Sequence, residues 1–306
     1  MRVNKYMLFY STISLFLLFS NSYANNNKAQ REIAGFAYPE SVVADADNKY
    51  FFVSNVGEKM LPTAKDKDGF ISKLSVGGEI IEKKYLPKKG FLNSPKGMAI
   101  IKDSLWVADV DKVVGFNLKT KKKIFVLDFS QEKTLFLNDL VVINKNMLMV
   151  SATDVGKIYK IFIKDKPYFE VFLEDIPGAN GLFFDKQQQK LFIVSFGKTF
   201  DGSLGVVDLK EDKIVYQVLA KKIGGLDGVA LLNKNKIIFS DWVAADQVGV
   251  MRIYDLAVKK LYKLNLIPPI QGPADFFYDQ KRQKIWIPKM KENKVLIKKI
   301  DMERIK

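Results

Sequence analysis

The sequence predicts an all-β chain folded as a six-bladed β-propeller with four-stranded antiparallel blades. Three observations predict it: a unit that recurs six times, β-rich runs with no convincing helix between them, and small residues where each second run ends. Each unit opens with a Gly- or Pro-containing turn, a polar residue and an apolar run. The openings are Glu40-Ser41-Val42-Val43, Lys96-Gly97-Met98-Ala99, Asn138-Asp139-Leu140-Val141, Asn180-Gly181-Leu182-Phe183, Asp227-Gly228-Val229-Ala230 and Ala274-Asp275-Phe276-Phe277. Their first residues lie 56, 42, 42, 47 and 47 positions apart, the length of a propeller blade.

The elements follow in order. Second runs come 12 to 15 residues later and converge on a small residue or proline: Val53-Ser54, Val107-Ala108, Val150-Ser151, Val194-Ser195, Phe239-Ser240 and Ile287-Pro288. Third runs such as Phe70-Ile71-Ser72-Lys73-Leu74, Lys157-Ile158-Tyr159-Lys160-Ile161 and Met251-Arg252-Ile253-Tyr254 alternate as half-buried antiparallel strands do. The sixth unit has room for three strands before the chain nearly ends, so residues 31–37 are expected to add its outermost strand and close the ring, hiding two sheet edges at once. An open solenoid could also stack such units, but six with small central residues suit closure better. Longer inserts at 57–69, 197–202 and 242–248 are expected to shape the mouth of the channel.

Ahead of the repeats, Arg2 and Lys5 precede an apolar stretch at 7–19, and Ser22-Tyr23-Ala24 fits a signal-peptidase site. Residues 1–24 therefore read as a signal peptide cleaved after Ala24, and 25–306 as one propeller domain. The stretch is too short for a spanning helix, which takes about 20 residues, and no membrane span is expected in the mature chain. Cleavage removes Arg2 and Lys5, so the net charge of +15 falls to +13. The product is expected to be a periplasmic or secreted basic monomer that could associate with anionic envelope surfaces. Nucleic acid is not an expected partner, because no aromatic stacking platform is legible.

Composition narrows the chemistry. With no Cys and no His among 306 residues, disulfides, thiolate sites, zinc fingers and Ser-His-Asp or Cys-His catalysis are excluded. Carboxylates, amides, Lys/Arg, hydroxyls and a hard, oxygen-loving metal remain. In a propeller the innermost strands line the axis, so the first residues of the six units converge: Glu40, Lys96, Asn138, Asn180, Asp227 and Ala274. Glu40, Asn138, Asn180 and Asp227 are oxygen donors suited to a divalent ion, with Ca²⁺ the expected metal and other divalent ions open. The plainer reading makes Asn-Gly and Asp-Gly turn residues entering a strand; four oxygen donors in register favour the metal. Asp109 and Asn55, at second-strand ends, read as turn residues. Gly197-Lys198-Thr199 lacks the glycine and helix of a phosphate loop, and Asp66-Lys67-Asp68-Gly69 lacks the spacing of a calcium loop.

Pro39-Glu40-Ser41, Leu137-Asn138-Asp139, Ala179-Asn180-Gly181-Leu182 and Leu226-Asp227-Gly228-Val229 resemble, in order and spacing, the metal-site signatures of the senescence-marker-protein/gluconolactonase family, relatives of the paraoxonases. The resemblance covers roughly 38–300. It implies a divalent ion, usually Ca²⁺, held by Glu40, Asn180 and Asp227, with Asn138 facing metal or substrate, and hydrolysis of a lactone or other small ester. The histidines of the paraoxonase branch have no counterpart here. Asp227 is the expected catalytic proton acceptor, and Asn138, Lys96, Asp139 and Asp275 the expected substrate contacts, with Asp139, Asp241 and Asp275 as reserve bases. Lys96 either bends towards a bound anion or snorkels to solvent. Beside the hydrolase stands a second class, a non-catalytic propeller serving as a binding or scaffold protein with a structural or vestigial ion.

Overall fold

Each predicted repeat unit forms one sheet in the computed structural model, which describes residues 30–305 apart from positions 165 and 266. The leader assigned to 1–24 lies outside the described residues. There are six four-stranded antiparallel sheets, and in five of them the strands pair in chain order. Blade 1 runs Pro39–Ala44, Tyr50–Asn55, Phe70–Ser75 and Ile80–Leu86. The inner strands of blades 2 to 5 are Pro95–Ile101, Leu137–Asn144, Ala179–Asp185 and Leu226–Asn233. Helical structure among the described residues is limited to three short 3₁₀ turns, at Ser130–Glu132, Met290–Glu292 and Met302–Arg304. The fold is a six-bladed β-propeller.

The sixth blade closes as its missing strand requires. Gln30–Ala34 pairs antiparallel with Lys294–Lys299, with Arg31 opposite Ile297 and Ile33 opposite Val295. The blade then continues through Lys284–Lys289 to the inner strand Phe277–Asp279. Glu32 fastens the seam through Lys289 and Lys294. This inner strand starts later than its repeat position predicts. Pro288 on the adjacent strand accepts from Ala274 N but has no N–H to give back, and pairing resumes beyond it only as the isolated bridge between Pro273 and Lys289.

The core is divided among the seams. Six apolar clusters each join one blade to the next, so every blade buries both faces. Phe51 of blade 1 stacks on Trp286 of blade 6 at 3.9 Å between ring centroids, which bonds the closing seam in apolar contact as well as by strand pairing. Among the described residues, no helix is long and apolar enough to cross a membrane.

Candidate functional site

A β-bulge turns each opening residue toward the axis. In the inner strands of blades 1 to 5 the pairing skips two residues: Glu40-Ser41, Lys96-Gly97, Asn138-Asp139, Asn180-Gly181 and Asp227-Gly228. A bulge re-aims side chains and frees backbone groups from the ladder. Freed N–H groups need acceptors, and the recurring second-strand serines supply them. Ser54 Oγ accepts from Ser41 N, Ser151 Oγ from Asp139 N, and Ser240 Oγ from Gly228 N.

The glycines after the opening residues are not turn glycines but close-approach glycines. A Cβ on Gly181 would stand 2.1 Å from Asp227 O, and one on Gly97 2.5 Å from Asp139 Cα. Each inner strand therefore presses against the next at the bulge. That contact draws the ring of opening residues together.

Glu40, Asn138, Asn180 and Asp227 all line one cavity of about 240 Å³ at the axis, with Lys96 beside them. All four are buried, between 3% and 6% exposed. Each presents one buried oxygen without a hydrogen-bond partner: Glu40 Oε2, Asn138 Oδ1, Asn180 Oδ1 and Asp227 Oδ1. Four orphaned acceptors facing one space are costly unless something electropositive meets them. Two of the remaining polar atoms of the set are engaged. Asn138 Nδ2 donates to Thr153 Oγ1 at 3.0 Å, and Trp242 Nε1 donates to Asp227 Oδ2 at 2.9 Å. Among the described residues no group of three or more acidic side chains is placed to hold a metal; the donors here are two carboxylates and two amide carbonyls, a set fitted to a hard cation.

The electrostatics point the same way. Burial first, and then the charges of Asp227 and Asp275, push Glu40 well above the usual carboxylate range. Burial and the charge of Asp275 lift Asp227 to about 8, and burial lifts Asp275 to about 7. Asp139 is likewise raised, by burial and by Asp275. Lys96 is the one basic residue lining this cavity, and a divalent ion would supply the further positive charge that so many acids favour.

Lys96 does not snorkel. It is 0% exposed, its Nζ donates to Ser94 O at 2.8 Å, and its ammonium stands 5.1 Å from the Phe136 ring centre. The carbonyl and the ring face hold the ammonium inside, which a path to solvent would forfeit. Burial lowers its pKa to about 8, with Glu40 and Asp109 acting in the opposite direction.

Three aspartates near the ring are spent on structure. Asp139 accepts from Leu140 N and Leu182 N, tying blade 3 to blade 4, and is not among the residues lining the cavity. Asp275 accepts from Ser41 Oγ across the closing seam and also lies off the cavity wall. Asp241 cannot serve as a reserve base, since it accepts from Val243 N and pairs with Arg252. Asp109 and Asn55, read as turn residues, are instead the last residues of their second strands and hold distant backbone: Asp109 accepts from Asn93 N and Ser94 N, and Asn55 Oδ1 from Ala37 N.

Sequence reasoning missed much of the wall. Thr153, Phe196, Trp242 and Met290 line the cavity together with Met60, Pro62 and Phe136. The first four share a repeat position, the residue following the second strand of blades 3, 4, 5 and 6. That fixed offset was the available signal. Met60 and Pro62 come from the 57–69 insert, which reaches the mouth as its length suggested.

No protein-family model matches the chain, and no curated protein matches it in sequence. Solved structures do. A candidate 6-phosphogluconolactonase from Bacteroides fragilis superposes with a TM-score of 0.61 at 13% identity, covering 88% of this chain and 82% of that one. Virginiamycin B lyase from Staphylococcus aureus gives 0.57 at 13%, covering 89% and 99%. A chain of a nidogen/laminin complex gives 0.57 at 17%, covering 73% and 78%. At these identities the likeness shows the fold alone. Two of the three carry enzyme names and one sits in a protein complex, so the fold does not choose between catalysis and binding.

Proposed function

We propose that this chain is a metal-dependent hydrolase of a lactone or related small ester, with a divalent ion, Ca²⁺ by the family resemblance, at Glu40, Asn138, Asn180 and Asp227. One observation carries the reading: those four side chains, predicted as a ligand set, all line one cavity, and each keeps a buried oxygen without a hydrogen-bond partner. The motif resemblance to the senescence-marker-protein/gluconolactonase family supports the same reaction class. A divalent ion held there would supply Lewis acidity for the hydrolysis.

The chain's own groups do the rest. Trp242 Nε1 fixes Asp227 by its Oδ2, so Oδ1 is the oxygen left to face the cavity. Asp227 is the proton acceptor for the attacking water. Asn138, held through its Nδ2 by Thr153, is oriented with its carbonyl inward. Lys96 supplies a fixed positive charge on the wall, which favours the negative charge that develops on the substrate oxygen. Water adds across the acyl C–O bond, the ring oxygen leaves as a hydroxyl, and a lactone becomes a hydroxy acid. Asp139 and Asp275 act on this site through charge rather than by touching substrate.

Export through the 1–24 leader to the periplasm or beyond, as a monomer, belongs to the same proposal. A hydrolysis screen over lactones and aryl esters with Ca²⁺, Mg²⁺ or Mn²⁺, each against chelator, tests it. Chelator-sensitive turnover is expected. No turnover with chelator-sensitive melting would leave a non-catalytic propeller with a structural ion.

A further inference from the structure

The cavity has two unlike halves. Its floor is the ring of polar atoms, while Met60, Pro62, Phe136, Phe196, Trp242 and Met290 form the wall above. The polar atoms that do reach this wall are engaged elsewhere. Thr153 Oγ1 donates to Ala179 O at 2.7 Å and accepts from Asn138 Nδ2. Trp242 Nε1 is held by Asp227, while Lys96, a residue of the polar ring, gives one of its three N–H bonds to Ser94 O and keeps the others on the floor.

The apolar roof has a fixed shape. Ser94 Oγ holds the 57–69 insert by donating to Leu61 O at 2.9 Å and Ala64 O at 3.2 Å. Lys65 pairs with Asp111 at 2.6 Å, and Asp68 Oδ2 accepts from Glu58 N at 2.8 Å. Phe196 meets Trp242 edge-on, with centroids 6.1 Å apart at 67°, and makes a rigid aromatic corner.

A polyhydroxylated ring brings hydroxyls that must surrender water on entry, and this wall returns no free partner to them. Each hydroxyl left unpaired costs about tenfold in affinity or more. An alkyl or aryl group gains instead, at about fourfold per buried methylene. Apolar cavities of about 150 Å³ already take up benzene, and this one is about 240 Å³, enough for a ring and a short chain.

We infer that the site takes a lactone or ester bearing an alkyl or aryl substituent, with the carbonyl on the polar floor and the substituent against Phe196, Trp242 and Met60, and that it discriminates against sugar lactones. This rests on the hydrolase reading for the carbonyl and on the wall alone for the substituent. The test uses δ-lactones with alkyl tails of increasing length beside a polyhydroxylated δ-lactone of the same ring size, all with Ca²⁺ present. Equilibrium binding is read by intrinsic tryptophan fluorescence and calorimetry, and turnover is read separately as kcat/KM. Affinity is expected to rise about fourfold per methylene over the first few carbons and then level off. The polyhydroxylated lactone is expected to bind at least about 100-fold more weakly than the longest tail. Phe196→Ala, and independently the loop variant Met60→Ser, should flatten the chain-length dependence while the Ca²⁺-induced rise in melting temperature stays as in the parent. Equal or tighter binding of the sugar lactone, or no binding by either series, overturns the inference. Tight binding of the alkyl series without turnover keeps the ligand class and overturns the hydrolase reading.

Discussion

Replacing Asp227 by Asn should stabilise the ion-free protein and abolish its response to Ca²⁺. Without an ion, the Asp227 carboxyl is buried beside Asp275, and burial and that charge raise its pKa to about 8. In the unfolded chain it returns to the ordinary value of 3.8. Between those pH values the folded state holds a proton that the unfolded state has released. The stabilisation from this raised pKa is full below 3.8 and is lost as pH rises through about 8. At about 1.4 kcal/mol per pKa unit the loss has a ceiling of roughly 6 kcal/mol. Neighbouring acids share the same repulsion and relax together, so no more than half of that, roughly 2–3 kcal/mol, is expected from one substitution. Asparagine carries no charge. Its carbonyl can keep the hydrogen bond from Trp242, and its amide can place donors where Oδ1 stood among orphaned acceptors. At pH 8 in chelator the variant should therefore melt about 4–12 °C above the parent, and the gap should shrink towards pH 5. Added Ca²⁺ should raise the parent and leave the variant nearly unmoved. Scanning calorimetry at the two pH values, with chelator and with millimolar Ca²⁺, reads all four conditions. A variant less stable than the parent at pH 8 in chelator, or one with an undiminished Ca²⁺ response, would refute the reasoning.

Other consequences follow from single contacts. Trp242→Phe removes the donor on Asp227 Oδ2 and should weaken Ca²⁺ binding about tenfold, measured by calorimetric titration; unchanged affinity would show that the indole does not orient the carboxylate. Gly181→Ala drives a Cβ to 2.1 Å from Asp227 O, which should cost more than about 3 kcal/mol in urea unfolding and disturb ion binding with it. Deleting residues 30–34 removes Ile33 from the closing seam and Glu32 from Lys289 and Lys294; the two exposed edges should then replace a single cooperative melt with aggregation, and a sharp two-state transition would count against ring closure by that strand.

The blade period was legible because three physical needs repeat together. A bulge needs a polar residue that can face the channel, a Gly or short side chain that lets the next strand approach, and a hydroxyl on the second strand for the freed N–H. Asn138-Asp139 with Ser151, and Asp227-Gly228 with Ser240, show that triplet in sequence. The aromatic wall was less visible, since Phe196 and Trp242 look like loop residues until the offset from the second strand is applied to every blade. The aspartates were ambiguous for another reason. Asp139, Asp227, Asp241 and Asp275 are one residue type, and only the partners brought by neighbouring blades separate them. Leu182 N occupies Asp139, Arg252 occupies Asp241 and Ser41 occupies Asp275, whereas one oxygen of Asp227 is left without a partner. Lys96 could not be placed from its spacing, because its burial depends on Ser94 O and the Phe136 ring.

Satisfaction of hydrogen bonds also separates what the centre needs from what the scaffold needs. A structural acid in this ring is recognised by full engagement, as Asp139 is by two backbone N–H groups. The four orphaned oxygens come from four different blades, so a cation joining them would cross-link blades 1, 3, 4 and 5 around one cavity. Such an ion contributes to folding stability in proportion to its occupancy, and it would bring the raised pKa values of Glu40 and Asp227 back down by favouring their ionised forms. Stability and catalytic protonation state would then depend on one ligand. Loss of the ion should return the proton to Asp227 and remove the acceptor from the reaction at the same step.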